Sequence, residues 1–153
     1  MGMDVFGIEP VIKRGSTKPE YPGFTATDDE KNTYYEATRQ YEDDNPGVYF
    51  RANVWSWRPI LDRIYQANDQ FNLQIDEETL DLMGSNDGAG LETQEDCNAL
   101  ADALETVLSS EGDILTWSSG DSKADREGWY RAHKEHAMEF VTFLRSCGGF
   151  EVC

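Results

Sequence analysis

Residues 47–71, GVYFRANVWSWRPILDRIYQANDQF, constrain the fold more than any other stretch of the chain. They hold two of the four tryptophans, three of the eight arginines and a proline inside a helical pattern. Val54, Trp57, Leu61, Ile64 and Asn68 fall at helical spacing with Tyr65 beside them, so the rest of the chain must cover that face. Pro59 lacks an N–H and clashes with the carbonyl four residues back, which a continuous helix accommodates only by bending. The pattern predicts a short helix, a break near Ser56, and a second helix to about Ala67 whose first turn takes Pro59.

The flanks supply partners for this segment. Residues 3–11, MDVFGIEPV, read as a strand closed by Pro10, and Phe150 and Val152 alternate with Glu151 as a second strand at the far end. Thr27 with Glu30 forms a capping box ahead of a helix over about 28–42, which carries tyrosines on one side and acids elsewhere. Asp76 caps a short helix through Leu82. Thr93 and Asp96 open the clearest helix, with Cys97, Leu100, Ala101, Leu104 and Leu108 as its apolar stripe and Val107 at the border. Ile114, Leu115 and Trp117 form a short apolar run, a candidate third strand. Residues 129–146 read as a last helix with Trp129, His133, Ala137, Phe140 and Leu144 on one face, and Gly148 sits where a left-handed cap is needed. No internal repeat shows. The expectation is a helix-dominated α+β single domain, 1–153, whose small sheet is formed by the terminal strands. Residues 15–46 read as an acidic insertion with a peripheral helix.

Composition narrows the function classes. Hydrophobic residues at 39% exclude a disordered chain despite a formal charge of -17. Thirty acidic residues face thirteen basic ones, a balance that repels nucleic acid and anionic membranes and attracts a basic partner. Solubility or adaptation to salt is the plainer account of the same acidity. No apolar run reaches the roughly 20 residues that span a bilayer, and no basic-plus-apolar leader opens the chain. Cys97, Cys147 and Cys153 lack paired spacing, which predicts neither a disulfide framework nor a zinc site and fits a reducing cytoplasm.

Six residues form the candidate binding set: Arg51, Asn53, Trp55, Arg58, Asn86 and Asp87. Arg51, Trp55 and Arg58 are spaced four and three apart and would share a face of an unbroken helix, where guanidinium planes and an indole clamp a phosphate, carboxylate or base. Internal counter-ions and core packing are the structural alternative for the same residues. Asn86 and Asp87 lie in a glycine-bearing loop that matches neither the phosphate-binding loop nor the calcium loop, and a turn is its default reading. His133 and His136 are three apart, where the zinc-protease helix needs four; His133 reads as a core histidine. No catalytic residue, metal site or cofactor is predicted.

Four blocks carry a resemblance: MGMDVFG at the start, YFRANVWSWRP at 49–59, NDGAGL at 86–91 and FLRSCGGFEVC at the end. The chain resembles a family of small uncharacterised proteins from bacteriophages and bacterial genomes, and departs from it in the long acidic segment 15–46. The resemblance implies a phage or mobile-element setting and no particular reaction. Together with the charge it leads to an expected accessory protein of the host cytoplasm that binds a basic host protein, with an acidic, nucleic-acid-mimicking inhibitor as the concrete form. The alternatives are a small-molecule or nucleotide-binding protein or small enzyme using an Arg/Trp pocket, and a virion-associated protein.

Overall fold

The computed structural model describes residues 2–153, so Met1 of the opening block lies outside the described residues. In chain order the elements are β1 (Gly2–Gly7), α1 (Asp28–Asp44), β2 (Tyr49–Asn53), α2 (Val54–Phe71), α3 (Glu77–Leu82), α4 (Gln94–Ser109), β3 (Ile114–Thr116), α5 (Ser122–Glu127), β4 (Arg131–His133), α6 (Lys134–Leu144) and β5 (Phe150–Val152). Helices dominate this α+β architecture, and the terminal strands pair in a small antiparallel sheet.

β1 is the middle strand of the order β2-β1-β5 and runs antiparallel to both neighbours. Period-two alternation buries Met3, Val5, Phe50, Ala52, Phe150 and Val152 on the inner face and turns Asp4, Phe6, Arg51 and Glu151 outward. The third strand is β2, within the segment read as helical, and not the 114–117 run. β1 is also shorter than the expected 3–11 strand. Beyond Gly7 the N–H groups of Ile8, Glu9 and Val11 donate to the carbonyls of Gly149, Cys147 and Ser146, so this stretch is held by the C-terminal turn. The Gly88 N–H donates to the Val152 carbonyl and the Val152 N–H to the Ala89 carbonyl, so Ala89 bridges to β5. All four resemblance blocks therefore meet at or beside this sheet.

α2 is one continuous helix, which corrects the expected break near Ser56. Its cap is Asn53, whose side chain accepts from the Ser56 N–H at 2.8 Å and from the Ser56 hydroxyl at 2.8 Å. Pro59 falls at the sixth helical position and is buried, leaving the Trp55 carbonyl without its intrahelical donor. The helix runs past Ala67 to a left-handed Asn72. α2 and α6 pack on the strands of the sheet, α4 packs against both helices, and the core gathers Trp57, Ile60, Ile64, Leu100, Leu104, Phe140, Phe143 and Leu144. Trp57 is fully buried and its indole N–H donates to the Met83 carbonyl at 2.8 Å.

Arg131–His133 form a strand paired with Ile114–Thr116, so the last helix begins at Lys134 rather than near Trp129. His133 is accordingly an exposed helix-cap residue and not a core histidine. The structure also contains a duplication that the sequence does not announce. Arg51-Ala52-Asn53 leading into α2 matches Arg131-Ala132-His133 leading into α6: both alanines are buried, both arginines exposed. The burial then repeats eighty residues on, at Trp57 and Ala137, Ile60 and Phe140, Leu61 and Val141, Arg63 and Phe143, Ile64 and Leu144. Each helix packs against the strand of the other unit, α2 on β4 and α6 on β2.

α1 carries no buried residue. Its capping box forms as read, with Thr27 and Glu30 exchanging both bonds. Tyr34 meets Tyr21 and Tyr35 edge to face, and Phe24 packs on Tyr21. Asn45, 1% exposed, ties the segment off: it accepts from the Lys13 N–H at 2.7 Å and donates to the Ser16 hydroxyl and the Tyr41 carbonyl, both at 2.8 Å. Among the described residues no helix is long and apolar enough to cross a membrane.

Candidate functional site

The outward stripe of α2 carries Trp55, Arg58, Asp62 and Tyr65, which helical geometry places in one row. At its first end Trp55 leaves the core because position 55 points away from the sheet, and it meets the segment that leads into β4. Its ring lies 5.3 Å from Trp129 and 5.1 Å from Tyr130, both steeply tilted, and Trp117 stands edge-on to Tyr130 at 4.9 Å. Trp55 and Trp129 are 40% and 38% exposed and line a cleft of about 240 Å³. The Lys123 ammonium sits 5.7 Å above the Trp129 ring, within cation–π range.

Further along the row, Arg58 donates to the Gly84 carbonyl at 2.9 Å and borders a second cleft of about 400 Å³, lined also by Leu61, Asp62, Tyr65, Asp81 and Trp117. The Tyr65 hydroxyl donates to Asp81. Partial removal from water and that bond push the Tyr65 phenol up to about 12, so it stays protonated and acts as a donor. Trp117 lines this cleft and, through Tyr130, joins the rings around Trp55.

The six sequence-predicted residues do not converge on one pocket. Trp55 and Arg58 line neighbouring clefts. Arg51 belongs to β2 rather than to a helix face shared with them, and its guanidinium lies 3.6 Å from Asp4 on the solvated side of the sheet. Asn53 is committed to the α2 cap. Asn86 and Asp87 are exposed in the turn after α3, where Asp87 accepts from the Ser85 hydroxyl at 2.7 Å and Gly88 takes a φ of 80°. His136 bonds the Arg51 carbonyl at 2.9 Å and packs on Phe50. Among the described residues no three His, Cys, Asp or Glu side chains gather as metal ligands.

Residues outside the predicted set complete the surface: Trp117, Lys123, Trp129 and Tyr130. Their signal was two tryptophans flanking a polar loop, TWSSGDSKADREGWY, whose own residues offer the rings little apolar cover. Asp121 caps α5 inside that loop. Asp125 accepts from the Ser119 N–H and from the Ser118 and Ser119 hydroxyls, led by the backbone bond, which holds its carboxyl below the usual range. The loop that carries Lys123 and Trp129 is thereby pinned. Arg63 was also overlooked: it is the buried arginine of α2, bonded to Glu111, Asp62 and the Thr116 carbonyl.

No family model, curated protein or solved structure matches the chain.

Proposed function

We propose that this protein acts by binding, as a phage or mobile-element accessory protein of the host cytoplasm that engages a basic host protein through its acidic segment 15–46. The supporting observation is α1. Seven of its residues are acidic and two basic, and none is buried, so the core gains nothing from a helix kept in water by its own caps. Its carboxylates fall as triplets at either end, Asp28, Asp29, Glu30 and Glu42, Asp43, Asp44, with Glu36 between. Over its 17 residues the helix spans roughly 25 Å, in which one DNA strand presents about seven phosphates. Phe24, 92% exposed, precedes the first triplet by four residues and offers an apolar anchor. The concrete form of the reading is an acidic inhibitor that occupies the nucleic-acid groove of a host defence or nucleic-acid-binding protein, with no direct nucleic-acid or membrane contact of its own.

The alternative small-molecule or nucleotide site has weaker support, because Arg51 and Asn53 are engaged elsewhere and only Trp55 and Arg58 border clefts. A virion-associated role would show as stable self-association.

Capture from bacterial lysate over a salt series tests the proposal. A basic protein is retained at low salt, released at moderate salt where exposed charges are screened over about 10 Å, and lost with the triple variant Asp29→Asn, Glu36→Gln, Asp43→Asn. Added DNA competes for the captured protein. Retention of no basic protein at low salt would sink the proposal.

A further inference from the structure

We infer that the cleft between Trp55 and Trp129 is a receptor for an organic cation of the alkylammonium or guanidinium type, and that Lys123 is the internal cation the ligand displaces. The inference is independent of α1 and holds whether or not the acidic segment is a docking surface. Four observations carry it. The Trp55, Trp129 and Tyr130 rings meet edge to face at 67° and 60°, so the two indoles do not stack flat on each other. Each of the two tryptophans keeps about two-fifths of its surface in water, whereas Trp57, two residues along α2, is fully buried. The cleft is lined by the two indoles alone, so what it offers a ligand is chiefly aromatic ring surface. An ammonium already rests over one of those faces, 5.7 Å from its centre.

The chemistry follows from the ring quadrupole, negative on the face, which attracts a poorly hydrated cation far more than a neutral group of the same shape. The molecule's charge of -17 adds a long-range pull on cations and disfavours the approach of nucleotides and other anions. Lys123 extends from a six-residue helix on the surface, so its displacement disturbs no core contact.

The test follows the indole N–H resonances of Trp55 and Trp129 by nuclear magnetic resonance in the full chain, titrated with choline, N-acetyl-arginine methylamide, or 3,3-dimethylbutan-1-ol, the neutral isostere of choline. The cations shift both resonances saturably, the alcohol at equal concentration does not, and Trp129→Leu abolishes the response. Lys123→Gln, an exposed change that leaves the fold intact, tightens cation binding about two- to five-fold, the worth of one exposed cation–π contact. A response to choline alone supports the site and identifies a free quaternary ammonium; a response to the arginine amide alone supports it and identifies a side chain of a protein. Equal shifts with the alcohol, or no shift with either cation, overturn the inference. Neither result bears on the salt-dependent capture, which depends on α1.

Discussion

Trp55 and Trp57 lie two residues apart on one helix, and a rotation of about 200° sends them to opposite environments. Trp57 is sealed between Phe50 and Phe140 with its N–H bonded to Met83, whereas Trp55 stays half in water. Trp57→Phe leaves the buried Met83 carbonyl unpaired and opens space, a cost of about 2–4 kcal/mol in urea unfolding. Trp55→Leu loses edge contacts only and costs about 1 kcal/mol or less. Equal losses from the two would show that the exposed cluster is part of the core. Two tyrosines set a different dependence. The Tyr49 phenol is pushed up to about 12 by partial burial first and by its bond to Asp4 second, as Tyr65 is with Asp81. A raised folded value favours the protonated phenol, so the stability it contributes is complete below the ordinary value near 10 and disappears as pH rises through 12. Phenolate absorbance should therefore show two tyrosines titrating late, one lost in Tyr49→Phe and the other in Tyr65→Phe. Titration of all seven together near 10 would refute the paired geometry.

At the scale of elements, the capping side chains were the most legible feature of the sequence. Thr27, Asp76 and Thr93 each accept the backbone N–H expected of them, because a short polar side chain before an amphipathic run leaves the orphan donors few other partners. Asn53 reads from sequence as a binding residue and not as a cap, because Pro59 draws the expected boundary to Ser56. A proline is tolerated at the sixth position of α2 where its ring fills the core. Asn53→Ala removes both bonds to Ser56 and should cost about 1 kcal/mol in urea unfolding, with helicity falling at the Trp55 end; no change would mean that β2 alone positions the helix. β4 was hidden for another reason. Three residues give too short a period-two signal, and Trp129, His133 and Ala137 imitate the helical period that begins only at Lys134. The duplicated strand–helix units were equally masked, since they share burial rather than identity beyond Arg-Ala. The aromatic cleft arises from that duplication, where Trp55 of one unit meets the entry to the strand of the other.

For the whole molecule, the decisive feature is how the acidic segment joins the rest. Its glycine neighbours lie against the frame: a Cβ on Gly47 would overlap the Ser146 carbonyl, so the chain re-enters the fold at a fixed point. Asn45 then clasps the outgoing chain at Lys13 and Ser16, bringing the two ends of the excursion together. Closing a shorter loop across those ends costs less entropy than closing the present one, and no side chain of α1 leaves a core cavity behind. Replacing residues 17–44 by a short Gly/Ser bridge between Ser16 and Asn45 should therefore leave the melting temperature within a few degrees, with the Trp57 environment unchanged by near-ultraviolet circular dichroism. The charge removed is about a third of the total, and the salt-sensitive partner should go with it. A shortened chain that stays folded and still captures the partner would move the docking surface to the remaining acids of α3, α4 and the loop around α5. A shortened chain that unfolds would mean that the tyrosine-packed segment supports the sheet edge, and that its acidity is a by-product of keeping a structural element soluble.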